Sequence, residues 1–102
     1  MAIQVGNYTF EGPYTNTSAL QDRSGVYAIH CYYSNTYYLI DVGESANVKS
    51  RVEGHDRKSC WSRNCNGILT ASVYYTPNLL PTKRREIEQT IRAQFDPPCG
   101  RI

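Results

Sequence analysis

Two runs dense in β-branched and aromatic residues, GVYAIHCYY at 25–33 and YYLIDV at 37–42, are separated only by Ser34-Asn35-Thr36. Side chains of this kind fit a pleated sheet surface, and the polar insert supplies turn chemistry, so the pair predicts a β-hairpin. A third run, ILTASVYY at 68–75, is entered through Asn66-Gly67 and closed by Thr76-Pro77, and reads as another strand. Gly43 is expected to end the second strand, with Ser45 as N-cap of a helix reaching about His55 and carrying Val48 and Val52 as its apolar stripe. A second helix is expected from near Thr82, where Ile87, Ile91 and Phe95 recur at i, i+4 and i+8, and it should stop before Asp96-Pro97-Pro98.

Residues 1–23 are polar and turn-rich and read as a lead-in holding one short strand at Asn7 to Phe10. The main domain is then 24–102, in the order β-β-α-β-α. Local strand pairing with helices beside a small sheet predicts an α+β fold with a three-stranded, mainly antiparallel sheet. The chain is 102 residues long with 40% hydrophobic content, which suits one core and hardly two. A net charge of +2 is mildly basic, so nucleic-acid binding would rest on local clusters such as Arg57-Lys58 and Lys83-Arg84-Arg85. No basic start followed by an apolar core opens the sequence, and no apolar stretch approaches a spanning length, so a cytoplasmic protein without membrane partners is expected. The four cysteines are accordingly expected to be reduced thiols.

Several residues form an ordered set. Gly25-Val26-Tyr27 lies on the first strand and Asp41-Val42-Gly43 at the end of the second. Arg51 follows Gly43 by eight residues, His55 follows by four more, and Glu88 stands nine before Pro97 on the last helix. This pattern resembles the GIY-YIG endonuclease module over about residues 24–100.

The resemblance implies metal-assisted hydrolysis of phosphodiesters. Glu88 would hold one Mg²⁺ or Mn²⁺, with water completing its coordination. Arg51 would be the fixed cation facing phosphate, a task suited to a planar fork that stays charged. Tyr27 would be the general base, its phenol lowered by Arg51 or the metal, and His55 would position or relay protons from the same helix face. Gly25 and Gly43 would belong to the substrate-binding set, Gly43 letting the backbone turn tightly so that the face with Arg51 and His55 looks across at Tyr27 and Glu88, and Lys49, Arg57, Lys58 and Arg63 would take flanking phosphates. The sequence departs from the family at Asp41, where a second tyrosine is usual, and at Gly100, where an asparagine is common. Asp41 would then be a metal ligand or a base, or would impair activity. Tyr37, which shares its strand face by the period of two, would lie too far along the strand to replace the tyrosine.

Other readings of the same residues compete. Arg84 and Arg92 flank Glu88 at i−4 and i+4 and would make it an ion-pair centre, and Glu86 is the rival ligand. His55, Cys60 and Cys65 with Cys99 or Cys31 would enclose a structural Zn²⁺. The expected substrate is DNA rather than RNA, with specificity from nucleic-acid structure, a partner protein or a homodimer. The alternative function is a non-catalytic module that binds nucleic acid or protein through its tyrosines and Trp61.

Overall fold

The computed structural model describes residues 1–100. Its central hairpin joins β3 (Gly25–Tyr33) to β4 (Thr36–Ser45) in antiparallel register from Gly25↔Ser45 to Tyr33↔Thr36. Ser34 and Asn35 both have positive φ, 52° and 61°, the backbone that a two-residue connection requires to match strand twist. β5 (Ile68–Tyr75) pairs along the other edge of β3, again antiparallel.

The sheet has five strands, not three. Residues expected as a lead-in fold as β1 (Ala2–Val5) and β2 (Tyr8–Tyr14), and the order across the sheet is β1-β2-β5-β3-β4. β2 is recruited by a long-range pairing, Glu11 against Val73 and Tyr14 against Ala71. The α+β class stands, with α1 (Val48–Glu53), α2 (Lys58–Arg63) and α3 (Pro81–Phe95) added to the strands.

Two apolar clusters lie on opposite faces, as alternation along β3 dictates. Val26 and Ala28 pack with Val42, Phe10, Ile87 and Ile91 under α3. Tyr27, Ile29 and Cys31 pack with Val48, Val52, Trp61 and Val73 under α1 and α2. The α3 stripe ends at Ile91, since Phe95 is 46% exposed. Asp96 turns the chain in the left-handed conformation, and Pro97 and Cys99 become the buried residues beyond it.

Three local expectations change. β4 continues through Gly43 to Ser45, whose place opposite Gly25 removes it as a cap, so α1 starts at Val48 and ends before Gly54. His55 therefore lies in the connection after α1. One extra residue, Ile40, sits in β4 between the pairs Ile29↔Asp41 and His30↔Leu39. Such a bulge reverses which face the following side chains meet. Tyr37 consequently packs on Tyr32 and His30, on the face away from Asp41.

The cysteines form Cys31–Cys65 and Cys60–Cys99 disulfides, which corrects the reduced-thiol reading and takes their sulfurs out of any zinc set. Among the described residues no group of three or more His, Cys, Asp or Glu is placed to hold a metal ion. Both bonds fasten the α2 region, one to β3 and one to the chain after α3. A helix of six residues is marginal in water without such support, and α2 has no side-chain cap. No helix among the described residues is long and apolar enough to cross a membrane.

Candidate active site

Tyr27 points from β3 into the face covered by α1 and α2, where its ring lies against Gly43 of β4, its register partner. A Cβ at Gly43 would overlap the hydroxyl, Cζ and Cε2 of Tyr27, so this glycine is needed as space rather than as a turn. Gly25 likewise serves close packing, because a Cβ there would press on the Tyr74 carbonyl oxygen at 2.8 Å.

The Tyr27 hydroxyl meets His55 Nε2 at 2.7 Å. The Arg57 backbone N–H donates to His55 Nδ1 at 3.0 Å, which places the proton of a neutral imidazole on Nε2, directed at the phenol oxygen. Burial first, then the Arg51 and Arg57 charges, push the His55 pKa down to about 4, so the ring is neutral at physiological pH. Burial pushes the Tyr27 phenol up to about 12, against the pull of Arg51 and Arg57. This corrects the expectation of a phenol made basic by lowering: at neutral pH Tyr27 keeps its proton. Arg51 leaves α1 beside the pair, is 40% exposed in its side chain, and bonds Asp56 at 3.3 Å. Asp56 also lies 3.3 Å from His55 Nδ1, so one exposed carboxylate faces both groups.

Asp41 is the most heavily bonded carboxylate described. Its side chain is 2% exposed, and it accepts from Arg57 Nε and Trp61 Nε1, each at 2.8 Å, and from Arg92 Nη2 at 2.7 Å. Arg57 Nη2 at 3.3 Å and the Val42 backbone N–H at 2.8 Å bring the donors to five. Burial raises its pKa, but the Arg57, Trp61 and Arg92 hydrogen bonds outweigh that and hold it below the usual carboxylate range. With its lone pairs committed, Asp41 is built as an anchor for two guanidiniums. Arg92 reaches round the β4 edge from α3 and also donates to the carbonyls of Val42 and Cys99. Trp61 in turn packs its ring 4.6 Å from the His55 ring.

Glu88 comes from α3, the layer opposite Tyr27. It faces Arg92 Nε at 3.5 Å, and burial, opposed by Arg92 and assisted by Glu44, raises its pKa. Glu44 is itself held by Arg84 at 2.9 Å, while Glu86 pairs with Lys83 on the outer side of the helix. Tyr27, His55 and Arg51 are thus gathered directly, and Glu88 joins them through Arg92, Asp41 and Arg57. Lys49 lies near Asp22, whose pKa is lowered first by the Ser50 hydrogen bonds and then by the Lys49 charge, and Lys58 and Arg63 are exposed on α2. Gly100 has a positive φ of 82° and abuts the Arg92 guanidinium, a place where a Cβ would be both strained and crowded.

The sequence reading missed the Arg92 and Trp61 bonds to Asp41. Arg92 was visible only as the i+4 neighbour of Glu88, and Trp61 was read as a surface ring although it is 4% exposed. A cavity of about 150 Å³ opens beside the site, between Tyr14, Thr17, Val52, Trp61 and Leu69. No family model, characterised protein or solved structure matches the chain.

Proposed function

We propose that this chain is a divalent-metal-dependent endonuclease on a GIY-YIG-like scaffold, hydrolysing phosphodiester bonds of DNA in preference to RNA. The observation that carries this reading is the 2.7 Å pairing of Tyr27 with His55 beside Arg51, three residues from separate segments. Glu88 fits a weakly held, largely hydrated Mg²⁺ or Mn²⁺: it has one partner at 3.5 Å, and burial with the Glu44 charge disfavours its ionised form, a condition a cation reverses. Such an ion supplies positive charge to the phosphate and acidity to a bound water. His55 fixes the phenol oxygen, leaving the Tyr27 hydrogen to be donated to a phosphate oxygen. Arg51 offers its fork to the same phosphate, and Asp41 keeps Arg57 and Arg92 rigid as the cationic wall. Lys49, Lys58 and Arg63 add affinity without sequence preference. Two disulfides suit an oxidising compartment better than the reducing cytoplasm.

A second reading, a non-catalytic binding module, is favoured by one observation: Tyr27 and His55 are 2% and 5% exposed, so substrate reaches them only after local opening. Plasmid nicking in Mg²⁺ or Mn²⁺ decides between the two. The first reading expects nicking that is lost in Tyr27→Phe, Arg51→Ala and Glu88→Ala proteins with unchanged circular dichroism. DNA binding without cleavage in either metal would establish the second.

A further inference from the structure

The two disulfides hold α2 in unequal surroundings. Cys31 sits within β3 and is 3% exposed, and among the described residues no donor is bonded to its sulfur or to that of Cys65. At Cys60–Cys99 the Asn64 side-chain nitrogen lies 3.5 Å from Cys60 Sγ and 3.6 Å from Cys99 Sγ. The same nitrogen donates to the Cys60 carbonyl at 2.8 Å, which fixes it as the NH₂ end and leaves its second hydrogen to the sulfur pair. A disulfide sulfur is a weak acceptor, whereas a departing thiolate is a charged one, so this contact favours breakage of Cys60–Cys99 over the other bond. Cys60 is partly exposed and Cys99 is buried, so an external thiolate meets Cys60 Sγ and Cys99 is the leaving group.

Breakage frees α2 and not the end of the chain. Cys99 stays fastened to β4, its N–H on the Ile40 carbonyl at 3.0 Å, and Arg92 donates to its carbonyl at 2.7 Å. α2 has six residues and no side-chain cap, and it would keep only the Trp61 bond to Asp41 and the Cys31–Cys65 bond just beyond its end as side-chain ties to the sheet. So short a helix, so held, opens at low cost. Trp61 packs its ring 4.6 Å from that of His55, and Tyr27 and His55 are themselves 2% and 5% exposed. Movement of α2 therefore uncovers the pair that substrate has to reach.

We propose that Cys60–Cys99 is a redox latch over the Tyr27–His55 pair, closed while oxidised and opened by a reducing dithiol, with Cys31–Cys65 retained as the hinge. One thiolate of the dithiol attacks Cys60 Sγ to form a mixed disulfide, and Cys99 leaves as its thiolate. The second thiolate of the dithiol attacks the dithiol sulfur of that mixed disulfide and releases Cys60. Two electrons pass to the protein, the dithiol ends as its own disulfide, and its two protons end on Cys60 and Cys99. That the opening serves phosphodiester cleavage rests on the nuclease reading above, whereas the latch itself is read without cleavage.

The test is brief treatment of the folded full chain with limiting dithiothreitol at neutral pH. Free thiols are trapped with N-ethylmaleimide and located by peptide mass spectrometry, and hydrogen exchange is followed on the same samples. Labels on Cys60 and Cys99 are expected before any on Cys31 and Cys65, with protection lost over residues 55–64 and kept in β3 and β5. Asn64→Asp keeps the side chain's shape without its N–H and should slow the first cleavage by roughly 10-fold, one hydrogen bond near the top of the ordinary range. Where Asn64→Asp itself loosens α2, seen as protection lost before reduction, the order of labelling in the unaltered chain decides. Labelling of Cys31 and Cys65 first or at the same rate overturns the proposal, as do unchanged protection over 55–64 after selective reduction and an unslowed, still protected Asn64→Asp chain. Plasmid nicking that is equal in the oxidised chain and the selectively reduced one overturns it too. Selective opening without nicking in Mg²⁺ or Mn²⁺ supports the latch and removes the nuclease reading alone.

Discussion

Asp41→Asn tests whether this residue is an anchor or a damaged catalytic position. The substitution keeps volume but removes the charge to which Arg57 and Arg92 are tied, and turns one acceptor oxygen into a donor amide among five N–H donors. Arg92 retains the Val42 and Cys99 carbonyls and Glu88, whereas among the described residues Asp41 is the side chain that the Arg57 guanidinium bonds. Removing one partner of a buried pair costs about 3–5 kcal/mol. The Arg57 and Arg92 side chains are 31% and 21% exposed and regain some water, which favours the lower end of that range. For a domain of this size a loss near 3 kcal/mol lowers Tm by roughly 12–24 °C. Thermal and denaturant unfolding at neutral pH, with the disulfides intact, measures it. The pH dependence adds a signed check. The folded pKa of Asp41 is depressed, so its stabilisation is present above the unfolded value near 3.9 and is lost as pH falls through the folded value. The gap between wild type and Asn must therefore narrow in acid. A Tm change of under about 4 °C, or a gap constant down to strongly acid pH, would refute the anchoring argument. Asp41→Tyr, which would supply the second tyrosine of the proposed GIY-YIG-like pattern, should destabilise for the same reason and yield no gain in nicking.

Gly43→Ala should destabilise by about 1–3 kcal/mol through overpacking, because the new methyl overlaps the Tyr27 ring. A Gly43→Ala/Tyr27→Ala double variant should show positive coupling in denaturant unfolding. Burial lowers the pKa of both His30 and His55 to about 4, so the unfolded chain binds more protons between that value and about 6.5, and stability rises with pH across this window. His30→Gln and His55→Gln should each flatten that slope in unfolding titrations. The disulfides close separations of 34 and 39 residues. On the chain-entropy model each contributes about 4 kcal/mol, so reduction should lower the denaturant midpoint, and hydrogen exchange should show the earliest loss of protection in α2.

Much of the frame is legible along the chain because it depends on neighbours. The hairpin, β5 and α3 each declare themselves through local composition or period, and Tyr27 and His55 meet although His55 sits outside its expected helix. Other elements leave no such signal. α2 is six uncapped residues held by Trp61 and two disulfides, and β2, expected only as a short strand at Asn7 to Phe10, runs on to Tyr14 where it pairs with β5 some sixty positions away. The cysteines illustrate the same limit: their spacing along the chain does not show which of them pair, whereas bond formation depends on Cα separations of 5.4 and 6.0 Å that only folding creates.

Asp41 marks the boundary most clearly. Its identity and its place on the second strand were plain in the sequence, because side-chain type and strand period are local properties. That it serves two arginines and a tryptophan was decided by the bulge at Ile40, the turn at Asp96 and the course of α3, which bring Arg92 across the edge of β4. A buried charge takes its role from whichever donors the assembled fold delivers, and their separation along the chain carries no record of that distance in space.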